Sequence, residues 1–169
     1  SATNVATLKV RTMAQAFGMQ VKVWTRSPEK HRNDCSPDLF FDMETLLETS
    51  DFISLHLPLN DKTHGILGST EIRKIKTGAT LINTARGGLI DESALIEALR
   101  NGHLRGAGLD VFAEEPLNDN HHLLGLENVV LSPHVAYNTP EAVKALFEIT
   151  IENICSYFDG KPINVVAAP

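Results

Sequence analysis

The chain has 169 residues and a formal net charge of −6, with 43% hydrophobic and 21% charged residues. This length predicts a single domain, and this composition is ordinary for a folded globular protein. The basic residues do not cluster, which argues against nucleic acid or an anionic membrane as a partner. The sequence contains no apolar run of membrane-spanning length and opens with no secretory signal pattern, so we expect a cytoplasmic protein.

Hydrophobic periodicity predicts helices that alternate with strands along the chain. The predicted helices cover residues 6–17, 43–48, 69–74, 92–100 and 140–158. The predicted strands cover residues 21–24, 52–55, 79–82, 107–109 and 129–131. This alternation is typical of the α/β class, with a doubly wound parallel sheet and helices on both of its faces.

Residues at the helix ends support these boundaries. Asp42, Asp91 and Thr139 each precede a predicted helix, where a side-chain oxygen can accept a hydrogen bond from a free backbone N–H. Pro140 follows Thr139 at the first helical position, which suits proline. The last predicted helix has one apolar face, formed by Val143, Leu146, Phe147, Ile151, Ile154 and Phe158.

Three polar motifs follow three successive predicted strands. They are Asn83 to Gly88, Asp110 to Pro116 and Ser132 to His134. The ends of successive parallel strands share one edge of a sheet, and ligands bind at that edge in open α/β folds. We therefore expect the motifs to bring Arg86, Glu115 and His134 to a common site.

These three side chains suit the chemistry of a small anionic acid. Arg86 can bind a carboxylate through two parallel hydrogen bonds. His134 can transfer a proton near neutral pH, and a carboxylate such as Glu115 can hold the imidazole and favour its charged form. Such a set can process a 2-oxo or 2-hydroxy acid, whereas each residue taken alone is also compatible with a surface or structural role.

The same motifs, with three further segments, resemble the D-isomer-specific 2-hydroxyacid dehydrogenases. The further segments are Ala16 to Met19, Ser54 to Leu59 and Gly160 to Val166. The resemblance covers nearly the whole chain, in order. It implies a Rossmann-like dinucleotide-binding domain of an oxidoreductase, which transfers a hydride between a nicotinamide cofactor and a small D-2-hydroxy or 2-oxo acid.

The resemblance also implies a role for each catalytic residue. Arg86 would bind the substrate carboxylate and polarise the 2-oxo group. His134 would be the general acid in reduction and the general base in oxidation, and Glu115, rather than the adjacent Glu114, would orient it and raise its pKa. Asp110 would lie beside the nicotinamide ring or its carboxamide.

The cofactor preference depends on the residues after the predicted strand 21–24. NAD-specific domains place an acidic residue there, which accepts from the ribose hydroxyls. Thr25 occupies this position and carries no charge, whereas Arg26 and Ser27 can bind a 2′-phosphate. The sequence therefore favours NADP over NAD, with an exposed polar turn as the alternative reading.

Four more residues are assigned to cofactor binding by the resemblance. His56 and Pro58 would form a wall beside the adenosine through backbone and apolar contacts. Thr84 and Ala85 would contact the cofactor next to Arg86. We predict no metal site, because the adjacent His121 and His122 point in different directions and are expected to lie on a solvated loop.

The resemblance further implies a first strand and a glycine-rich turn that holds the pyrophosphate. Three glycines would fall near Ala2, Asn4 and Thr7, where this sequence has none. The substrate domain of the family is also not recognisable. We therefore expect residues 1–169 to be a dinucleotide-binding domain that is incomplete at its N-terminus and is a poor catalyst alone.

Two other functions remain open from the sequence. The family includes corepressors that use the dinucleotide fold as a ligand-gated interaction module. The chain could also be a truncated, inactive relative that keeps the catalytic residues. As partners, the resemblance implies a small-molecule acid and a second copy of the complete protein in a homodimer.

Overall fold

The computed structural model describes residues 5–31 and 39–165. Within these ranges the α-helices are α1 (Val5–Ala16), α2 (Met43–Thr49), α3 (Ser69–Lys74), α4 (Glu92–Arg100) and α5 (Pro140–Phe158). The strands are β1 (Phe52–Leu55), β2 (Thr80–Asn83), β3 (Gly106–Leu109) and β4 (Val129–Leu131). Short 3₁₀ helices occur at Pro28–His31, Gly87–Leu89 and His122–Gly125.

The four strands form one parallel sheet in the order β1-β2-β3-β4. Thr80 of β2 pairs with Phe52 of β1 on one side and with Gly106 of β3 on the other, and Ala107 of β3 pairs with Val129 of β4. Helix α3 packs against both α2 and α4. The predicted α/β, Rossmann-like fold class is therefore confirmed, and all four strands present their carboxyl ends at the same edge.

The predicted N-caps are confirmed at three helices. Asp42 accepts from the N–H of Thr45 at 2.8 Å, and Asp91 accepts from the N–H of Ala94 at 3.1 Å. Thr139 likewise caps α5 from just before Pro140. These bonds satisfy backbone donors that have no partner inside the helix, which is why the helices begin where they do.

The core lies between the sheet and the helices that connect its strands. Leu81 in β2 is fully buried, as are Leu89 and Leu104 in the connections. The buried apolar cluster extends from Leu47 in α2 to Leu123, and it includes residues from all of β1, β2 and β3. Burial of this many aliphatic side chains holds the strand ends in fixed positions.

One predicted strand is wrong in extent. Among the described residues, 21–24 do not form a strand of the sheet, and the one pairing in this segment is an isolated parallel bridge between Val23 and Phe40. The Val23 N–H donates to the carbonyl of Leu39 at 2.8 Å, and the Val23 carbonyl accepts from Phe41 at 2.9 Å. Apolar alternation made the segment extended, but a strand also needs a partner along its length.

The expected glycine positions of the first turn fall largely outside the described residues. Ala2 and Asn4 are not described, and Thr7 belongs to α1. The prediction that the first strand and glycine-rich turn are lacking therefore stays a prediction.

The chain divides into two compact units, residues 1–133 and residues 134–169. The second unit consists of the His134 loop, α5 and the segment after it. Helix α5 contains no buried residue, and the apolar face predicted for it is exposed. None of the helices in the described ranges has the length and apolarity needed to cross a membrane.

Candidate active site

The turn after β2 presents Arg86 at the carboxyl edge of the sheet. The turn starts at Asn83, whose buried side-chain oxygen accepts from the Ala85 N–H (3.0 Å) and whose nitrogen donates to the Arg86 carbonyl (2.9 Å). Arg86 itself is exposed, and its Nη1 donates to the Ala85 carbonyl at 2.6 Å. That bond uses one of five guanidinium donors, so the side chain keeps the capacity for a two-pronged carboxylate contact.

Asp110 joins the ends of three strands. It follows β3 directly and is only 3% exposed. Its N–H donates to the Asn83 carbonyl at 3.0 Å, and its carboxylate accepts from the Ser132 hydroxyl at 2.5 Å. A buried carboxylate needs such partners. Its predicted place beside a nicotinamide stays a prediction.

The loop that carries Glu115 lies directly against the turn that carries Arg86. A Cβ added to Gly87 would lie 1.8 Å from the carbonyl oxygen of Phe112, so only glycine permits this backbone contact. Glu115 is exposed, and one of its carboxylate oxygens accepts from the Phe112 N–H at 3.0 Å. The peptide bond from Glu115 to Pro116 is cis. Arg86 and Glu115 are thus carried by two loops that touch.

His134 opens the second compact unit, just after Ser132 and Pro133. It is half-buried and its φ of 55° lies in the left-handed region. Histidine adopts this region more often than most non-glycine residues, and such positions are frequent at functional sites. The predicted hydrogen bond between His134 and Glu115, whose residues belong to different units, stays a prediction.

The segment predicted to choose the cofactor follows the Val23–Phe40 bridge. Arg26 is exposed and Thr25 is half-buried, with its hydroxyl 3.5 Å from the Ser27 N–H. A cavity of about 320 Å³ opens here, lined by Trp24, Thr25, Pro28, Phe40, Phe41 and Asp42. Aromatic rings and a hydroxyl line this cavity together with the carboxylate of Asp42, and an apolar cavity with a few polar groups is typical of a small-molecule site.

His56 and Pro58 follow β1 at the same edge of the sheet. Burial lowers the pKa of His56 below its ordinary value, and its Nε2 lies 3.0 Å from the Ser54 hydroxyl. The Pro58 carbonyl accepts from the buried Thr63 hydroxyl at 2.6 Å. Hydrogen bonds thus hold this segment, and the lowered pKa favours a neutral His56 at pH 7, which agrees with a contact role better than with proton transfer.

Sequence reasoning missed several residues that shape these loops. Asn83 and Ser132 act through hydrogen bonds that no periodicity reveals, although both stand at strand ends beside predicted site residues. The expectation of a solvated loop at His121 and His122 is correct only for His122, which is exposed. His121 is half-buried and its Nε2 lies 2.9 Å from a Glu92 carboxylate oxygen.

The described residues contain no cluster of three or more histidine, cysteine, aspartate or glutamate side chains that could hold a metal ion. The polar groups at this edge of the sheet include one guanidinium, two carboxylates and neighbouring backbone groups. A parallel α/β domain with such groups at the ends of successive strands is a Rossmann-like ligand-binding domain.

The family is established by comparison with known proteins. Residues 6–136 match the model of the D-isomer specific 2-hydroxyacid dehydrogenase, NAD binding domain. The chain belongs to this family, as its motifs predicted.

Curated relatives and solved structures agree with that assignment. The glycerate dehydrogenase of Methylorubrum extorquens is 42% identical over 157 residues, covering 92% of this chain and 48% of that protein. An NADPH-dependent glyoxylate/hydroxypyruvate reductase from Sinorhizobium meliloti has a TM-score of 0.84 at 30% identity, covering 95% of this chain and 50% of that one. A D-lactate dehydrogenase with NAD⁺ from Lactobacillus jensenii has a TM-score of 0.82 at 29% identity, covering 96% and 52%.

The chain spans about half the length of the curated relatives it matches. The three proteins named above are enzymes of the oxidoreductase class, and none is named as a corepressor. They are named for different acids, and the two solved structures are named with different cofactors, NADPH and NAD⁺. Membership in the family therefore defines the NAD(P)-binding domain but neither the acid nor the choice between NAD and NADP.

Proposed function

We propose that residues 1–169 form the dinucleotide-binding domain of an NAD(P)-dependent dehydrogenase that acts on a small D-2-hydroxy or 2-oxo acid. The observation that carries the proposal is the contact between the Arg86 turn and the Glu115 loop at the carboxyl edge of a parallel sheet. A guanidinium and a carboxylate held there by backbone packing are positioned groups rather than mobile surface charges.

In this proposal the side chains divide the work of binding and proton transfer. Arg86 binds the substrate carboxylate and stabilises negative charge on the 2-oxo oxygen. His134 donates a proton to that oxygen in reduction and removes it in oxidation, and Glu115 orients the imidazole. A bound nicotinamide cofactor supplies the hydride.

The cofactor would lie along the same edge of the sheet. Asp110, Thr84 and Ala85 would meet its nicotinamide end, and His56 and Pro58 would flank the adenosine. We favour NADP over NAD because the segment Thr25–Ser27 offers a cation and two hydroxyls but no carboxylate. We further propose that the protein is cytoplasmic and forms a homodimer. Sedimentation of the purified protein tests the dimer.

The proton-transfer role is tested in the complete protein, because residues 1–169 alone are expected to be a poor catalyst. The assay is reduction of glyoxylate and hydroxypyruvate with NADPH. His134→Ala should lower kcat by about 10²- to 10⁴-fold, the usual contribution of a positioned proton donor, while cofactor affinity stays near that of the parent. His122→Ala, at an exposed histidine, is the matched control. An unchanged kcat in His134→Ala would remove this residue from the mechanism.

The carboxylate-binding role is tested by Arg86→Lys, which keeps the charge but loses the planar pair of donors. The variant should show a large loss of kcat/KM, and Arg100→Lys, at an exposed arginine of α4, should show none. Near-native kcat/KM in Arg86→Lys would contradict the role.

Cofactor choice is tested by Thr25→Asp. A carboxylate there repels a 2′-phosphate and accepts from ribose hydroxyls, so the ratio of kcat/KM with NADPH to that with NADH should fall. A parent protein that already prefers NADH would contradict the NADP proposal and leave the dehydrogenase proposal intact.

A further inference from the structure

We infer that Glu92 is a positioning residue that, together with His121, holds the Asp110–Pro116 loop and thereby Glu115. The inference rests on the proposed function, in which Glu115 orients the proton-transferring histidine. Glu92 bonds to His121 and to the backbone of Ala113, so its effect on Glu115 would pass through the backbone of the loop.

The side chain of Glu92 bonds to residues outside the helix that it begins. Asp91 already caps α4 by accepting from Ala94, so Glu92 is not needed for that bond. Its Oε1 lies 2.9 Å from His121 Nε2, and its Oε2 accepts from the Ala113 N–H at 3.4 Å. The Glu92 side chain is 24% exposed, so the carboxylate is largely shielded from competing water.

The hydrogen bonds of His121 fix which nitrogen carries its proton. His121 Nδ1 accepts from the Leu123 N–H at 3.3 Å at the start of the 3₁₀ helix His122–Gly125. An accepting Nδ1 carries no proton, so Nε2 is protonated and donates to Glu92. One carboxylate thus joins α4, the loop at Ala113 and the 3₁₀ helix.

The held segment is the one on which Glu115 depends. Glu115 accepts from the N–H of Phe112, the residue before Ala113, and the carbonyl of Phe112 packs on Gly87. A cavity of about 10 Å³ beneath these contacts is lined in part by Gly87, Glu92 and Phe112. Release of Ala113 from Glu92 would therefore let Phe112 and Glu115 shift relative to the Arg86 turn.

The substitution Glu92→Gln tests this arrangement with little change in volume. Glutamine has one side-chain oxygen, which cannot replace two carboxylate oxygens that accept from His121 and Ala113. We expect hydrogen exchange at the Ala113 amide to become about tenfold faster and kcat for glyoxylate reduction to fall by about tenfold, which is the scale of one lost hydrogen bond. The KM for NADPH should stay within about twofold, since no cofactor contact changes.

The matched control is Glu114→Gln, which makes the same change on the same loop at an exposed residue and should alter neither exchange nor kcat. His121→Ala removes the donor to Glu92 from the other side and should also speed exchange at Ala113 and lower kcat, which covers the case in which one variant folds poorly. Faster exchange at Ala113 with an unchanged kcat would make Glu92 merely structural and overturn the inference.

A fall in kcat without faster exchange at Ala113 would also overturn it, because the effect would not pass through the loop. If the complete protein, with its substrate domain, reduced neither glyoxylate nor hydroxypyruvate, the proposed function would be contradicted, and the inference would fail with it. An active parent whose kcat resists both substitutions would contradict the inference alone.

Discussion

The loops at the carboxyl edge of the sheet are more firmly held than the longest helix of the described chain. The loops after β2 and β3 are fixed by a buried asparagine, a buried aspartate and a backbone contact at Gly87. Helix α5 has good local signals, a threonine cap and a proline at its start, yet it buries no residue. Regular secondary structure and burial are therefore different properties in the described residues.

Different kinds of contact order the helix and the loops of the site. A helix can form through its own caps and backbone bonds, and these are local. A loop has no such internal ladder and needs side chains from elsewhere in the chain to satisfy its backbone groups. In this domain those side chains come from strand ends, so the site residues inherit the rigidity of the sheet.

Truncation of a buried side chain in the sheet and of an exposed side chain in α5 should give the largest difference in the free energy of unfolding. Leu81→Ala in β2 removes a fully buried side chain and should lower the free energy of unfolding by about 2–5 kcal/mol. Leu146→Ala, on the exposed face of α5, should change it by no more than about 0.5 kcal/mol. Urea unfolding measures both values. A large loss in Leu146→Ala would show that α5 is covered in solution and would break the comparison.

An added methyl group at the contact between Gly87 and Phe112 should give the next largest effect on the free energy of unfolding. Gly87→Ala places a Cβ 1.8 Å from the Phe112 carbonyl oxygen, so the two loops must separate. We expect a loss of about 1–3 kcal/mol in the free energy of unfolding, as for other overpacked sites.

The control for that substitution is Gly125→Ala, where a Cβ would have no atom within 4 Å. It should leave stability nearly unchanged. Equal stabilities of the two variants would mean that the loops yield without cost, and the description of a firmly held edge would then be wrong.

The parts of the fold that were predictable from the sequence depend on residues that are neighbours in the chain. The limits of β1 and the caps at Asp42, Asp91 and Thr139 were correct because alternation and capping depend on neighbouring residues. The segment around Val23 was mispredicted because a strand is defined by its partner, and within residues 5–31 and 39–165 the segment pairs with Phe40 alone.

The position of the site was predictable because its motifs directly follow the ends of strands. Arg86, Asp110 and Glu115 lie at the expected edge because successive parallel strands present their ends together. The roles of Asn83 and Glu92 were not predictable, since each depends on contacts with residues that only the folded chain brings near. Glu92 and His121 are 29 positions apart in the sequence.

The smallest predicted effect is on the pH dependence of stability. It concerns His56, which follows β1 at the carboxyl edge of the sheet. Burial lowers the pKa of His56 in the folded protein, so folding favours the neutral imidazole. The unfolded chain then binds more protons once the pH drops below about 6.5. The stability that His56 contributes is complete above that pH and is lost as the pH falls through the lowered pKa of the folded state.

His56→Gln should therefore reduce the fall in the free energy of unfolding between pH 7.5 and pH 5. Because the parent and the variant share every other titrating group, the difference between them reports His56. Urea unfolding at several pH values measures the difference between the two proteins. His122→Gln, at an exposed histidine, controls for the loss of an imidazole as such. If His56→Gln keeps the full pH dependence of the parent, the imidazole is hydrated, and the wall after β1 is more open than the loops after β2 and β3.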